Sequence, residues 1–307
     1  MSTFLTEQEN KMIRLVEERG VVAFPYKTAI KQILDYCQEQ TKNMRPGDKI
    51  RFNIPPSLTK KIDFIHRLNI AVQVIDAENG AYFSGGGQVN LTMLDNLING
   101  KYDNGCIEIY AFSFCGHIYE RTILNSLYHE LNHLYEAWKE LVSTNSMSLF
   151  AAGSFRAGAQ ITCFPVSLYN DIATEINYRL YSQSELNSLV AGVYGDLSGM
   201  NSLRKNFNAH LQKTQAYVIY NELKDDLRML VDYLKHHPEY VMPFIQNLNT
   251  YGIQINPYYK NENGYIKEYN RRTQFLLKQL IRGIGKSASL YYDSIEVPED
   301  NVNIMVK

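Results

Sequence analysis

The chain has 307 residues, 45% of them hydrophobic, enough for one large domain or two ordinary ones with a core that needs no disulfide or metal staple. Its 31 basic and 32 acidic residues nearly cancel, so no global charge invites nucleic acid or anionic lipid, and neither is expected as a partner. Four cysteines, Cys37, Cys106, Cys115 and Cys163, form no Cys-x-x-Cys pair, which argues for reduced thiols in a cytoplasmic setting and against a cysteine zinc site.

The opening MSTFLTEQENKMIRL is charged from Glu7 onward and does not read as a secretory leader. Helical patterns are expected over residues 7–19 and 26–44, the second carrying Ile30, Ile33, Leu34 and Cys37 at helical spacing until Arg45-Pro46-Gly47-Asp48 stops it. From residue 49 to 114 the texture changes to short strand-like runs, at 50–54, 68–75, 81–84, 88–91 and 106–114, separated by turns such as Gly85-Gly86-Gly87 and Asp103-Asn104-Gly105.

Helical spacing returns at 119–142, 167–189, 203–235, 240–249 and 265–283, and the tail from 289 reads as short extended segments around Pro298. The most apolar window, 147–164, is interrupted by Arg156 and Gln160, so no membrane span is expected. There is no internal repeat. The order predicts an α+β fold with segregated layers, a small twisted sheet followed by a mostly helical C-terminal half. A first domain over residues 1–200 would hold the N-terminal helices (1–44), the sheet (49–114) and the helices at 119–142 and 167–189; a helical subdomain would occupy 201–307.

The helix at 119–142 contains "YHELNHLYEAW", residues 128–138. With successive residues about 100° apart, Ile123, Leu127, Leu131, Leu134, Trp138 and Leu141 share one stripe, and Asn125, His129, His133, Glu136 and Glu140 share the opposite, polar one. His129 and His133 are separated by one turn, roughly 6 Å along the axis, so both imidazoles can converge on one ion. Glu130 points about 100° away from His129, outside that coordination direction but within reach of a water held there, where a general base belongs.

This stretch, on a periodic helix directly after the strand at 106–114, resembles the zincin metallopeptidases, in which His-Glu-x-x-His follows the edge strand of the substrate cleft. The resemblance rests on His129–His133 and extends over about residues 100–190. It implies a Zn2+ cofactor, His129 and His133 as ligands, Glu130 as catalytic base, and a peptide or protein substrate lying along 106–114.

A catalytic zinc takes three protein ligands and keeps one position open. The residues after His133, Leu-Tyr-Glu-Ala-Trp-Lys, lack the glycine and the histidine with which the metzincin branch continues. Glutamate zincins instead draw a glutamate from a second helix, and "DIATEINYRLY" offers Glu175 on a polar edge beside the apolar stripe Ile172, Ile176 and Leu180, with Asp171 as the alternative ligand. Glu175 also suits an ordinary surface pair with Arg179. Glu136 and Asp171 could orient a ligand. An oxyanion donor could come from Tyr178, Tyr181 or His210.

Other features are weaker. His117 reads as structural, Gly285-Lys286-Ser287 lacks the rest of a phosphate loop, and the basic helix 267–286 reads as a solvated face. The leading expectation is a cytoplasmic zinc metallopeptidase. The alternative is an assembly protein, such as a phage particle subunit, built on a zincin-like core with a lapsed or structural site; the 23 tyrosines suit extensive protein contacts and a place in a virion.

Overall fold

The computed structural model describes residues 27–59, 68–76, 87–89, 106–114, 117–118, 120–144 and 158–296. The expected helix at 7–19, the strand at 81–84 and Pro298 lie outside them. In chain order the elements are α1 (Lys27–Thr41), β1 (Lys49–Asn53), a single turn α2 (Pro56–Thr59), β2 (Asn69–Asp76), β3 (Gly87–Val89), β4 (Cys106–Phe114), β5 (His117–Ile118), α3 (Glu120–Thr144), α4 (Ser167–Ile176), a π turn at Asn177–Tyr181, α5 (Gln183–Gly199), α6 (Phe207–Leu211), α7 (Gln215–His236), α8 (Val241–Thr250) and α9 (Glu262–Glu296). Helix predominates beside one small sheet, in keeping with the α+β class. No helix among the described residues is long and apolar enough to cross a membrane.

The sheet runs β1-β2-β4-β3, with β5 also paired to β4. β2 and β4 are parallel, Asn69 opposite Cys106 and Asp76 opposite Ser113, and Ile70, Ala71, Val72 and Val74 are all buried, as a strand covered on both faces requires. β4 was expected to be the edge strand. Its outer side instead pairs with β3 at Ile107–Ile109 and with β5 at Ser113 and Phe114, leaving Tyr110, Ala111 and Phe112 as the part of that side with no ladder partner among the described residues. His117 is a β5 residue paired opposite Phe114.

α1 ends where the sequence says it must. Gly47 takes φ +90, a conformation that costs glycine nothing, and its N–H bonds the Val74 carbonyl at 2.9 Å, tying the turn to β2. Cys37 lies on the buried face of α1, and burial pushes its thiol up to about 12, which leaves it unreactive.

Contacts divide the chain into two compact units. One takes its described residues from Met1–Trp138, Asn187–Gln215 and Gly283–Lys307, the other from Lys139–Leu186 and Ala216–Arg282. The divisions fall inside α3, α5, α7 and α9, so the units are interleaved along the chain. The second unit buries Ile172, Ala173, Ile176, Leu180 and Tyr181 with Leu223, Leu227, Leu230, Phe244, Leu248 and Tyr269.

Three expectations change in the helical half. The single helix expected at 167–189 is two, because Ser182 is extended (φ -93, ψ 109) after the π turn. The helix expected at 203–235 is likewise broken into α6 and α7. The tail from 289, expected to be extended, continues α9 to Glu296, its turns buried through Ile284, Ala288, Tyr291 and Tyr292, which recur at helical spacing.

In the first unit, α3 and α5 run antiparallel in unusually close contact. A Cβ at Gly192 would lie 2.8 Å from Asn125 Nδ2, at Gly195 2.7 Å from the Leu124 carbonyl oxygen, and at Gly199 2.7 Å from Arg121 Cα. Backbone approaches backbone here, as only glycine permits. Beyond Gly199, Asn201 at φ 47 closes the helix: Ser202 N–H reaches the Leu197 carbonyl and Asn201 N–H that of Ser198, with asparagine in the left-handed position that ends many helices.

Asp196 fastens the same pair. Its Oδ1 accepts from Arg121 Nε at 2.8 Å, its Oδ2 accepts from the Gln215 N–H at 2.7 Å, and Arg121 Nη2 also donates to the Lys213 carbonyl. The Asp196 side chain is 2% exposed and that of Arg121 24%. Removing one member of a buried pair leaves the other uncompensated, at about 3–5 kcal/mol, and partial solvation of Arg121 favours the lower end. Asp196→Ala is therefore expected to destabilise the protein by about 3 kcal/mol, measured as a lower denaturant midpoint at unchanged slope; a loss below about 0.5 kcal/mol would assign the pair no net role.

Candidate metal centre

α3 carries the His-Glu-x-x-His stretch, and its burial differs from the amphipathic expectation. Ile123, Leu127, Leu131 and Leu134 are buried as expected, but so is much of the polar side: Asn125, Asn132, His133 and Glu140 have little exposure, His129 and Glu136 are half-buried, and Glu130, off that stripe, is 3% exposed. The polar side faces α5. Asn125 Nδ2 donates to the Gly192 carbonyl at 3.1 Å, Asn132 Nδ2 to Ser188 Oγ at 3.2 Å, and Asn187 Nδ2 to Glu136 Oε1. The helices stay in step along this contact, Arg121 against Gly199, Asn125 against Gly192, Asn132 against Ser188 and Glu136 against Asn187.

Between the rungs at Asn125 and Glu136 the two histidines meet. His129 Nε2 and His133 Nε2 are 3.1 Å apart, with ring planes at 74°. Two imidazole nitrogens face each other this closely only when a proton or a cation lies between their lone pairs. A tetrahedral ion bound at about 2.0–2.1 Å would hold them roughly 3.3 Å apart, so the spacing fits one with little movement.

The carboxylate that joins them is Glu185. Ligand atoms of His129, His133 and Glu185 lie within 4.8 Å of one another, and the group could hold a metal ion. Glu185 is in the first turn of α5, two residues ahead of Asn187, so the helix that is locked to α3 also carries this side chain. Two histidines and a glutamate are the donor set of open, catalytic zinc sites.

The other expected residues have different surroundings. Glu175 is on α4 and Glu175 Oε1 accepts from Arg179 Nε at 2.7 Å, so the surface pairing weighed for it is realised. The guanidinium of Arg179 lies over the Tyr178 ring at 4.4 Å; burial opposes its charge, but Glu175, Tyr178 and Glu185 together hold it above its usual range. Asp171 is exposed on α4. Glu136 lies beside the group, accepting from Asn187 as described.

His210 bonds Ser202 Oγ through Nδ1 at 2.7 Å, and that oxygen is 2.7 Å from the Tyr292 hydroxyl. Ser202 follows the C-terminal end of α5, and from Asn187 to Gly199 alone the helix rises about 18 Å. His210 is therefore at the wrong end of α5 to donate to an oxyanion at the histidine pair.

The Tyr181 hydroxyl is 2.9 Å from Thr273 Oγ1 inside the second unit. Burial pushes it up to about 12, against the pull of that hydrogen bond. Since a phenol titrates near 10 in an unfolded chain, the fold favours the protonated form; this contribution is complete below pH about 10 and is lost as pH rises through about 12. Alkaline unfolding is expected in that window, followed by circular dichroism alongside tyrosinate absorbance, with a higher midpoint for Tyr181→Phe. An unmoved midpoint would show that other groups set the alkaline limit.

Glu185 was not singled out in the sequence, although a signal for it exists. Glu185, Ser188, Gly192, Gly195 and Gly199 recur at spacings of three and four, a stripe of small residues headed by one carboxylate.

Protein-family models, curated proteins and solved structures give no match to this chain.

Proposed function

We propose that this chain is a zinc-dependent peptidase in which His129, His133 and Glu185 hold the metal and Glu130 is the general base. The observation that carries this reading is the meeting of a carboxylate from one helix with both imidazoles of a His-Glu-x-x-His helix. The bound metal would supply Lewis acidity and make water a competent nucleophile near neutral pH.

The chain's own groups supply the remaining chemistry. Glu130 follows His129 on the same turn and is buried, so its carboxylate acts in a medium where proton transfer competes little with bulk water. It takes the proton of the attacking water and returns it to the departing amine nitrogen. Tyr110, Ala111 and Phe112 have no ladder partner on the outer side of β4 among the described residues, and an extended substrate would pair with the main chain there, over a shorter footprint than a full edge strand.

The test begins with zinc per chain in protein purified without added metal, by elemental mass spectrometry, together with cleavage of an unfolded protein substrate before and after chelation. Near-stoichiometric zinc, lost in His129→Ala and His133→Ala, with cleavage that stops on chelation and returns with zinc, is the expected result. A folded wild-type chain that binds no supplied zinc would sink the proposal. Zinc without any hydrolysis across diverse peptides would leave a structural metal site, as the assembly reading requires.

A further inference from the structure

We propose that Asn187, with Ser188 beside it, is a positioning residue for the metal centre: its bond to Glu136 sets the rotation of α5 about its own axis and so fixes the Glu185 carboxylate relative to His129 and His133. This rests on the reading of those three residues as metal ligands.

The argument starts from what the glycine stripe cannot do. Gly192, Gly195 and Gly199 bring α5 against α3 within contact distance, but a glycine surface has no protrusions, so it fixes separation far better than rotation or axial position. Those two freedoms need directional bonds. Asn132 Nδ2 to Ser188 Oγ, at the N-terminal end of the stripe, sets the axial position together with Asn125 Nδ2 to the Gly192 carbonyl and Arg121 to Asp196 further along. Asn187 Nδ2 to Glu136 Oε1 is a donor on a carboxylate, the stronger kind of hydrogen bond, between side chains of which Asn187 is 7% exposed.

Rotation follows from the helical wheel. Relative to the line of Ser188, Gly192, Gly195 and Gly199, Glu185 projects to one flank and Asn187 to the other, about 160° apart across it. A rotation of α5 that draws Asn187 off Glu136 therefore swings Glu185 with respect to the imidazoles. At a turn of about 20°, a carboxylate some 6–7 Å from the helix axis moves by roughly 2 Å, the full length of a metal bond. Glu136 thus acts on the centre from the helix that carries the histidines, and Asn187 from the helix that carries the third ligand.

The experiment measures zinc affinity of the full chain by competition with a chromophoric chelator, beside the thermal midpoint of the zinc-free form. Asn187→Ala and Asn187→Asp are expected to weaken zinc binding about ten- to hundredfold in chains that still fold, with a lower zinc-free midpoint from the lost bond to Glu136 and the larger drop in Asn187→Asp, where two carboxylates face each other. The exchanged pair Glu136→Gln with Asn187→Asp, which reverses donor and acceptor, should recover most of the affinity.

Zinc affinity within threefold of wild type in both Asn187 variants would overturn the proposal, as would failure of the exchanged pair to recover any affinity. If the Asn187 variants do not fold, Ser188→Ala, a milder loss on the same contact, is held to the same threefold criterion. The metal reading fails separately: Glu185→Ala would then bind zinc like wild type, or wild type would bind none, and the proposal falls with it.

Discussion

Replacing Glu130 with glutamine is expected to lower peptide hydrolysis by about a hundred- to ten-thousandfold, the usual contribution of a general base, while zinc content and thermal midpoint stay where they are. Glutamine keeps the shape of the buried side chain but has no basic oxygen to take a proton from water. Both kcat and kcat/KM should fall together, since the interaction lost is one made only in the transition state. Steady-state kinetics with zinc analysis on the same preparation decide the matter. A variant that kept a tenth or more of wild-type activity would remove Glu130 from the mechanism, and one that lost its zinc would make the effect structural.

Glu185→Ala is expected to reduce zinc affinity by more than the roughly ten- to hundredfold that accompanies loss of a residue that merely orients a ligand, whereas Glu175→Ala should leave it unchanged. Each replacement removes one carboxylate, so overall charge cannot explain a difference between them. Glu175 has its partner in Arg179 in a half-buried pair, and an i, i+4 pair of this kind contributes about 0.3–0.5 kcal/mol, a small effect that reaches Glu185 only indirectly, through Arg179, and leaves zinc affinity near wild type. Equal losses of zinc in the two variants would mean that the glutamates act through general electrostatics, and a loss confined to Glu175→Ala would reverse the assignment.

How much could be read from the residues alone is clearest on α3. The stripe Ile123, Leu127, Leu131, Leu134 marked the helix and placed both histidines together, because i to i+4 spacing is a local property of the backbone. Its polar stripe did not declare that it would be buried. Polarity in a helix face ordinarily means water, and here the face is satisfied by Asn187, Ser188 and the Gly192 carbonyl, partners more than fifty residues away.

Glu185, the carboxylate of the candidate group, was hidden for a different reason. Counting at about 100° per residue from Ile172 is valid through Ile176, and Ile172, Ile176 and Leu180 are indeed buried. The π turn then adds a residue to one turn and Ser182 interrupts the helix, so phase is lost before Glu185. Glu175 lay within the countable segment and Glu185 did not. The strand β4 shows the same limit: its extent, Cys106–Phe114, was legible from composition, but whether it lay at an edge depended on β3 and β5.

The contact of α3 with α5 also inverts the usual pattern of what substitutions a helix accepts. Alanine is the most helix-favouring residue, and in most exposed helices a glycine-to-alanine change is an improvement worth roughly 0.5–1 kcal/mol. At Gly195 the first carbon added meets main chain, not a movable side chain, so the gentlest replacement available already exceeds the space. A saturation survey of α5 would thus find a line of positions that refuse every residue larger than glycine regardless of polarity, beside neighbours that refuse only the polar ones. Such a line would map the contact from Gly192 to Gly199 in growth or abundance data, with neither metal nor substrate supplied.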